Sequence, residues 1–466
     1  MFEHHSDSLD MKKEGFPKVL LVHPWIHDFA AYDFWVKPLG LLRIGGWLRR
    51  CGFQVELIDC LDPEHPVVVG MGIKRRTFGQ GKFFREAIPK PRCLEGVPRR
   101  FCRYGLPPEV IMERLKRISR PDVVLVTSGM TYWYRGVQET IALLRRVFPD
   151  VPVVLGGIYA TLCPDHARMY SGADLVIPGG DLSTVARALS SVLPVTPHAE
   201  EDEGLPAWDL LPQSRAVVVK TSEGCPFNCR YCASRVLFPG FKMRSADRVV
   251  HELVWALAST EATDVAFYDD ALLVDSTSHL REIFEGMESK GVHARYHCPN
   301  GLHAAMVTEE VARLLFRSQV VTLRLGLESS SPSFHRRMGD KVSREEFLKA
   351  VECLRRAGFT RRQIGVYVMV GLPGQRIGEV EETLRFVLEA GAWPYLAEYS
   401  PVPGTSLWEE AVRSSPFPLE EEPLFHNNTL MPCRWEGFTP EDLARLKVRL
   451  QRLRAERGLH GAHGDG

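Results

Sequence analysis

Along two stretches of the chain, short apolar runs alternate with segments of helical spacing. In the first stretch, Lys18-Val-Leu-Leu-Val22 is an unbroken apolar run of the buried-strand kind. Leu39 to Cys51 follows with helical periodicity and stops at Gly52. Strands are expected at Val55–Asp59, Val123–Thr127, Val153–Leu155 and Asp174–Pro178, with helices at Val137–Val147 and Thr184–Val192. Strands that alternate with helices in this way imply a parallel, doubly wound sheet of the Rossmann-like type.

The second stretch repeats a strand–helix unit six times. Strands are expected at 216–221, 264–269, 293–298, 320–327, 364–370 and 395–399. Helices are expected at 245–259, 276–290, 308–317, 343–357 and 378–390. Six units do not close the usual eight-stranded barrel, so a partial (β/α)6 barrel of the TIM type is predicted. One amphipathic helix at 439–457 forms the tail. Thr439 is its N-cap, Pro440 its first helical residue, and Asp442 stands where a capping box usually has Glu or Gln. Gly458 ends it.

The pattern breaks twice, once inside the first stretch and once between the two. Residues 62–120 have weak periodicity and no clear elements, and residues 74–120 contain fourteen Lys or Arg against four Glu. Such an insertion is read as a solvated or interdomain surface, or as a lid for an anionic group using Lys74, Arg75, Arg76, Arg99 and Arg100. Residues 194–213 carry four prolines around the acidic run Glu200–Glu203 and read as a linker. The expected organisation is a lead at 1–16, a first domain at 17–193, the linker, a core at 214–410 and an extension at 411–466.

Composition narrows the function classes. The 466 residues are 45% hydrophobic and 25% charged with zero formal charge, so the whole molecule is not an electrostatic trap for nucleic acid. No apolar run reaches the roughly 18 residues of a membrane span, and a cytoplasmic setting is expected. The eleven cysteines are an odd number, mostly isolated. They read as buried thiols in a reducing compartment and not as a disulfide framework.

Three of them differ. Cys225-Pro-Phe-Asn-Cys229-Arg-Tyr-Cys232 follows the first strand of the second stretch. Three thiols on one short loop can face one small object, and thiolates select soft metals and iron–sulfur clusters. A structural zinc site wants a fourth ligand, and the next Cys or His is His251.

The CxxxCxxC spacing, with an aromatic before the last Cys and a repeating β/α pattern behind it, resembles the radical S-adenosylmethionine (SAM) superfamily. That resemblance implies a [4Fe–4S] cluster held by Cys225, Cys229 and Cys232, with one iron left open to SAM. It also implies reductive cleavage of SAM by an external one-electron donor of the flavodoxin or ferredoxin type. Tyr231 matches the aromatic that lies near the SAM adenine. Tyr268, Asp269 and Asp270 end the second strand, where the family places polar groups for SAM, with a helix N-cap as the alternative use of the two acids. Arg324, Gly326 and Glu328 share a strand face by the period-two rule, so the two charges either pair or meet a ligand. Gly326-Leu-Glu-Ser329 resembles a motif that places Glu328 near SAM. Asn300 and Gly301 follow the third strand, with Cys298 on the face of Asn300. Gly371, within Val370-Gly-Leu-Pro-Gly374, gives a ligand room or makes a plain turn.

A doubly wound domain before such a barrel resembles the cobalamin (B12)-binding radical SAM group. Ser128 and Gly156-Gly-Ile-Tyr159 match that group's segments near the cofactor, which makes Ser128, Gly156, Gly157 and Tyr159 candidate cobalamin contacts. Where cobalt-ligating domains carry DxHxxG, this chain has His23-Pro-Trp-Ile-His-Asp28, so that motif is absent. Trp25, Tyr32, Phe34 and Trp35 are candidates to pack on a corrin or on the barrel. The resemblance implies a cobalamin-dependent methyltransferase acting on an unactivated carbon of a small molecule or peptide. A cobalamin-free radical SAM oxidoreductase, cyclase or rearrangement enzyme is the alternative, and a non-catalytic cobalamin or redox sensor is the third.

Overall fold

The computed structural model describes residues 16–73, 75–194, 197, 204–274, 276–339 and 341–456. Its first sheet has five parallel strands: β1 Lys18–His23, β2 Gln54–Asp59, β3 Val123–Val126, β4 Val153–Leu155 and β5 Leu175–Val176. They lie in the order β2-β1-β3-β4-β5. That is the doubly wound arrangement with its switch point between β1 and β3, where the crevice for a ligand opens. β1 is apolar on both faces because both faces are covered. Val19 and Leu21 join one core, and Leu20 and Val22 join the other.

The second sheet has six parallel strands in sequential order: β6 Ala216–Val219, β7 Asp264–Phe267, β8 Arg295–His303, β9 Val320–Glu328, β10 Ile364–Val370 and β11 Trp393–Glu398. The helices between them, including Ala246–Ala258 and Arg344–Ala357, pack outside. The partial barrel is therefore present. Its core and one face of the first sheet are a single cluster that also holds Trp47 and Trp208. The chain crosses to the barrel over Gly46, where a Cβ would lie 1.9 Å from the Leu205 carbonyl oxygen.

Three expectations change. The basic insertion is built: Ile26–Asp28, Arg85–Ala87 and Cys102–Tyr104 form an antiparallel sheet, and Pro108–Arg117 is a helix. Its elements are short, and Leu94, Phe101, Leu106, Ile111 and Leu115 bury singly, which is why no periodicity shows. Asn300 and Gly301 lie within β8 and not after it. A bulge skips Pro299 and Asn300, since Cys298 pairs with Leu323 and Gly301 with Arg324. The bulge also separates Cys298, which is buried in the core, from Asn300, which is exposed.

The extension reaches back to the first sheet. Asn427 donates to Asp28 at 2.7 Å, and Thr131 and His426 meet at 2.9 Å. The tail helix spans Pro440–Glu456. Thr439 and Asp442 form the reciprocal cap, with bonds of 2.8 and 3.3 Å. Gly458 and the acidic run Glu200–Glu203 lie outside the described residues.

Candidate active site between the two sheets

The loop that carries Cys225, Cys229 and Cys232 is fixed at both ends. At its start, the buried Asp269 carboxylate accepts bonds from the Thr221 and Ser222 amides at 2.6–3.0 Å. It also accepts from both hydroxyls, at 2.8 and 2.7 Å. Ser222–Gly224 then pairs antiparallel with Phe241–Met243. Across the loop, the Arg230 amide donates to the Met338 carbonyl at 3.3 Å, and its guanidinium reaches Glu410 at 2.6 Å. Gly339, at φ +116°, lets the chain pass where a Cβ would stand 2.8 Å from the Asn228 carbonyl. Phe227 stacks on His303 at 4.2 Å.

Cys225 and Cys229 are partly buried and Cys232 is exposed. Burial pushes the first two thiols up; Cys225 also feels the charge of Cys229 and Cys232, and Cys229 that of Cys232. Among the described residues no three His, Cys, Asp or Glu side chains are already drawn together as a closed metal site. The chemistry of the donor set fits a cluster: three thiols, one exposed, on a loop braced on both sides. Beside them, Tyr231 shares a hydrogen bond with the Cys229 thiol.

Lys341 is the residue that strand and motif reasoning missed. Its ammonium lies 3.1 Å from Glu328. Burial pushes that ammonium down, but the Glu328 carboxylate and the Cys229 and Cys232 thiols more than offset this and hold it above its ordinary value. Glu328 therefore pairs with Lys341, and the expected alternative of an Arg324–Glu328 pair is not what forms. Glu328 itself adopts φ +65°, a rare backbone state for a residue with a Cβ. A lone lysine in a loop 13 positions downstream carries no periodic signal, so only the fold could bring it here.

The other expected SAM residues separate by what they already hold. Asp270, which follows the carboxyl end of β7, lies 3.9 Å from Lys220, and the Cys225 thiol feels its charge. Asn300 is exposed and donates to the Asp269 carbonyl at 3.1 Å. The Tyr268 hydroxyl is instead bonded to the backbone of Trp35 and Lys37, so it ties the barrel to the first domain. Asp269 shapes the thiol loop and caps no helix. Gly371, at φ +91°, donates its amide to the buried Gln375 side chain at 3.0 Å and makes a tied turn. Arg324 stacks over Tyr395 at 4.2 Å.

In the first domain, Ser128 and Gly157 touch at the carboxyl ends of β3 and β4. The Ser128 hydroxyl donates to the Gly156 carbonyl at 2.6 Å. A Cβ on Gly157 would lie 2.4 Å from the Ser128 carbonyl oxygen. Gly156, Gly179 and Gly180 have open space where a Cβ would be, so this edge is uncrowded at those three positions, with the Thr161 hydroxyl accepting from the Gly179 amide at 2.9 Å. The helix Ile158–Leu162 packs there against Ser234–Leu237, which follows Cys232. A flat corrin fits such an edge. Tyr159 does not belong to it: the residue is fully buried and its hydroxyl meets His166 at 2.7 Å.

His23 and His27 are held by Asp59 at 2.8 Å and Glu139 at 2.6 Å. Trp25 donates to the Leu106 carbonyl, while Trp35 stacks on the buried His297 at 4.3 Å inside the barrel. Arg75 pairs with Asp33, and Arg76 lies over Tyr32. Arg99 and Arg100 are exposed, and Lys74 lies outside the described residues.

A family model for the radical SAM superfamily matches residues 219–387, and one for the B12 binding domain matches residues 99–188. The chain is 24% identical to an uncharacterised methyltransferase of Pyrococcus horikoshii, over 72% of this chain and 77% of that protein. It is 23% identical to hopanoid C-3 methylase of Methylococcus capsulatus, over 85% of this chain and 73% of that enzyme. Among solved structures, it resembles the radical SAM methyltransferase TsrM of Kitasatospora setae with tryptophan and a SAM analogue bound. The TM-score is 0.64 at 16% identity, covering 94% of this chain and 89% of that one. Among the described residues no helix is long and apolar enough to cross a membrane.

Proposed function

The chain belongs to the radical SAM superfamily and carries a B12-binding domain, and from that premise we propose that it is a cobalamin-dependent methyltransferase acting on an unactivated carbon. The observation that carries this reading is the packing of the helix that follows Gly156-Gly157 against the helix that follows Cys232, which brings the open glycine positions of the first sheet and the thiol loop to the same side of the molecule. The names of the two curated relatives, a methyltransferase and a methylase, support the same chemistry.

When bound, a [4Fe–4S] cluster would supply the electron that cleaves SAM, and cobalamin a carrier for the methyl group. The chain's own residues do the rest. Cys225, Cys229 and Cys232 hold the cluster as thiolates. Asp269 and Arg230 set the loop so that the three sulfurs can converge. Lys341 offers a cation to the SAM carboxylate, while Glu328 and Asp270 offer acceptors to its amino group, with Asn300 at the rim. Tyr231 packs beside the thiols. Ser128 and Gly157 shape the edge of the first sheet, and Gly156 leaves it open. An electron donor of the flavodoxin or ferredoxin type and a reducing, cytoplasmic setting complete the reading.

The test is anaerobic reconstitution with iron, sulfide and hydroxocobalamin, followed by turnover with SAM, a reductant and cell extract as a source of substrate. Corrin absorbance, 5′-deoxyadenosine and S-adenosylhomocysteine are expected together. Cys225→Ala, Cys229→Ala and Cys232→Ala should each abolish cluster absorbance and SAM cleavage. 5′-Deoxyadenosine without S-adenosylhomocysteine or bound corrin would instead support a cobalamin-free radical enzyme.

A further inference from the structure

The barrel interior holds a guanidinium, that of Arg324, with no counter-charge among the described residues. Arg324 is 9% exposed, and its strand neighbours Leu323 and Leu325 are fully buried against the outer helices, so Arg324 faces inward. Among the described residues no carboxylate pairs with it. The nearby interior acids are engaged elsewhere: Asp264 with Arg295 and His297, Glu328 with Lys341, and Asp269 with Thr221 and Ser222. Arg324 donates to the Leu323 carbonyl at 3.2 Å and shares a hydrogen bond with the Tyr367 hydroxyl. Its guanidinium lies 4.2 Å from the centre of the Tyr395 ring and 5.9 Å from that of Phe34.

The fold makes room for this side chain. A Cβ at Gly365 would stand 2.5 Å from the Arg324 Nη1 and 2.9 Å from its Cζ. A guanidinium has five N–H donors, and the contacts above use only some of them. Burying a charge without a paired anion is unfavourable, and one aromatic face returns only part of what water gave. The forked donor set suits two oxygens of one carboxylate or phosphate.

We propose that Arg324 is the anion anchor of the substrate site: it takes a carboxylate or phosphate of the substrate, whose flat apolar part lies against Tyr395 and Phe34. This assigns Arg324 to the substrate and not to SAM, whose charged end has Glu328, four strand positions further along β9, and its partner Lys341. The assignment rests on the methyl-transfer reading only in taking the barrel interior as the reaction chamber.

The test uses the full-length reconstituted protein and three probes: benzoate, phenyl phosphate and neutral benzamide. Binding is followed by saturation-transfer NMR and calorimetry. At least one anion should bind saturably, with benzamide at least about tenfold weaker. Arg324→Met should weaken the bound anion by at least about tenfold, and Arg324→Lys by less, because Lys keeps the charge and loses the fork. Benzoate alone would mark a carboxylate site, and phenyl phosphate alone a phosphate site. Thermal unfolding separates anchoring from a structural role: Arg324→Met should leave the midpoint unchanged or raise it, since it removes an unpaired buried charge. Equal anion binding by wild type and Arg324→Met, no anion binding by wild type, or a lowered midpoint in Arg324→Met would each overturn the proposal. Whether wild type cleaves SAM is measured separately and bears on the methyl-transfer reading alone.

Discussion

Lys341 and Glu328 meet at 3.1 Å across the backbone of Gly326, the residue that leaves space for both. A Cβ on Gly326 would stand 2.5 Å from the lysine Nζ and 2.9 Å from a glutamate oxygen. Gly326→Ala should therefore part the pair without touching either charge. The expected result is SAM binding at least about tenfold weaker, equivalent to about 1.4 kcal/mol, measured by equilibrium dialysis on reconstituted protein. Unchanged SAM affinity would show that the pair plays no part in holding SAM.

Asp269 is engaged by four groups of Thr221 and Ser222 at the entrance to the thiol loop. Asp269→Asn turns one acceptor oxygen into an amide donor facing other donors. Hydrogen bonds to a charged, buried acceptor are worth about 1.5–3 kcal/mol each, so a loss of about 3 kcal/mol or more is expected. Urea unfolding reads the stability, and iron per chain reads the loop. Iron content should fall even at temperatures where the variant stays folded. Full iron loading would mean that the loop sets itself without this carboxylate.

Strands such as Val19–Val22, Val123–Val126, Val153–Leu155 and Ile364–Val370 were legible from the sequence because they are near-continuous apolar runs that leave little choice of placement. The thiol loop was legible because three Cys at short spacing need no tertiary information. Lys341 was not, since it stands in a loop and gains meaning only when folded back to Glu328. Tyr159 and Tyr268 show the opposite failure. Each sits at the expected strand end, yet a side chain's direction there depends on neighbours: His166 takes one hydroxyl, and the backbone of Trp35 and Lys37 takes the other. The insertion hid its elements because a two- or three-residue strand shows no period. The bulge in β8 hid because nothing in Cys298-Pro-Asn-Gly301 marks where pairing resumes.

Acid should weaken the barrel through Asp264. Burial alone would raise its carboxyl, but bonds to His297 and Arg295 more than reverse this and hold it at about 2. Burial pushes the His297 ring below its ordinary value, more than its bond to Asp264 restores. A carboxyl lowered on folding adds stability that is present above the unfolded value near 4 and is lost as pH falls toward about 2. The part at stake is about 2 kcal/mol. Asp264→Asn should cost this difference at pH 6 and much less near pH 3. Unfolding of both proteins in urea, followed by circular dichroism at the two pH values, checks it. A gap that stays constant would assign the contribution to packing.

Gly156 and Gly157 are adjacent but should respond in opposite ways to the same substitution. At Gly157 the backbone has φ +93° and a Cβ would stand 2.4 and 2.6 Å from the backbone of Ser128, so alanine is both strained and crowded. Gly157→Ala should destabilise by about 2 kcal/mol or more, through the left-handed backbone and the push on β3. At Gly156 nothing lies within 4 Å of the added methyl and the backbone is not left-handed, so Gly156→Ala should leave the unfolding midpoint nearly unchanged. Its methyl would project at the edge where a corrin can approach. Hydroxocobalamin retained after gel filtration should therefore fall in Gly156→Ala while the protein stays as stable as wild type. Full corrin retention in that variant would move the cobalamin site away from this edge, whereas loss in Gly157→Ala alone would follow from unfolding and say nothing about contact.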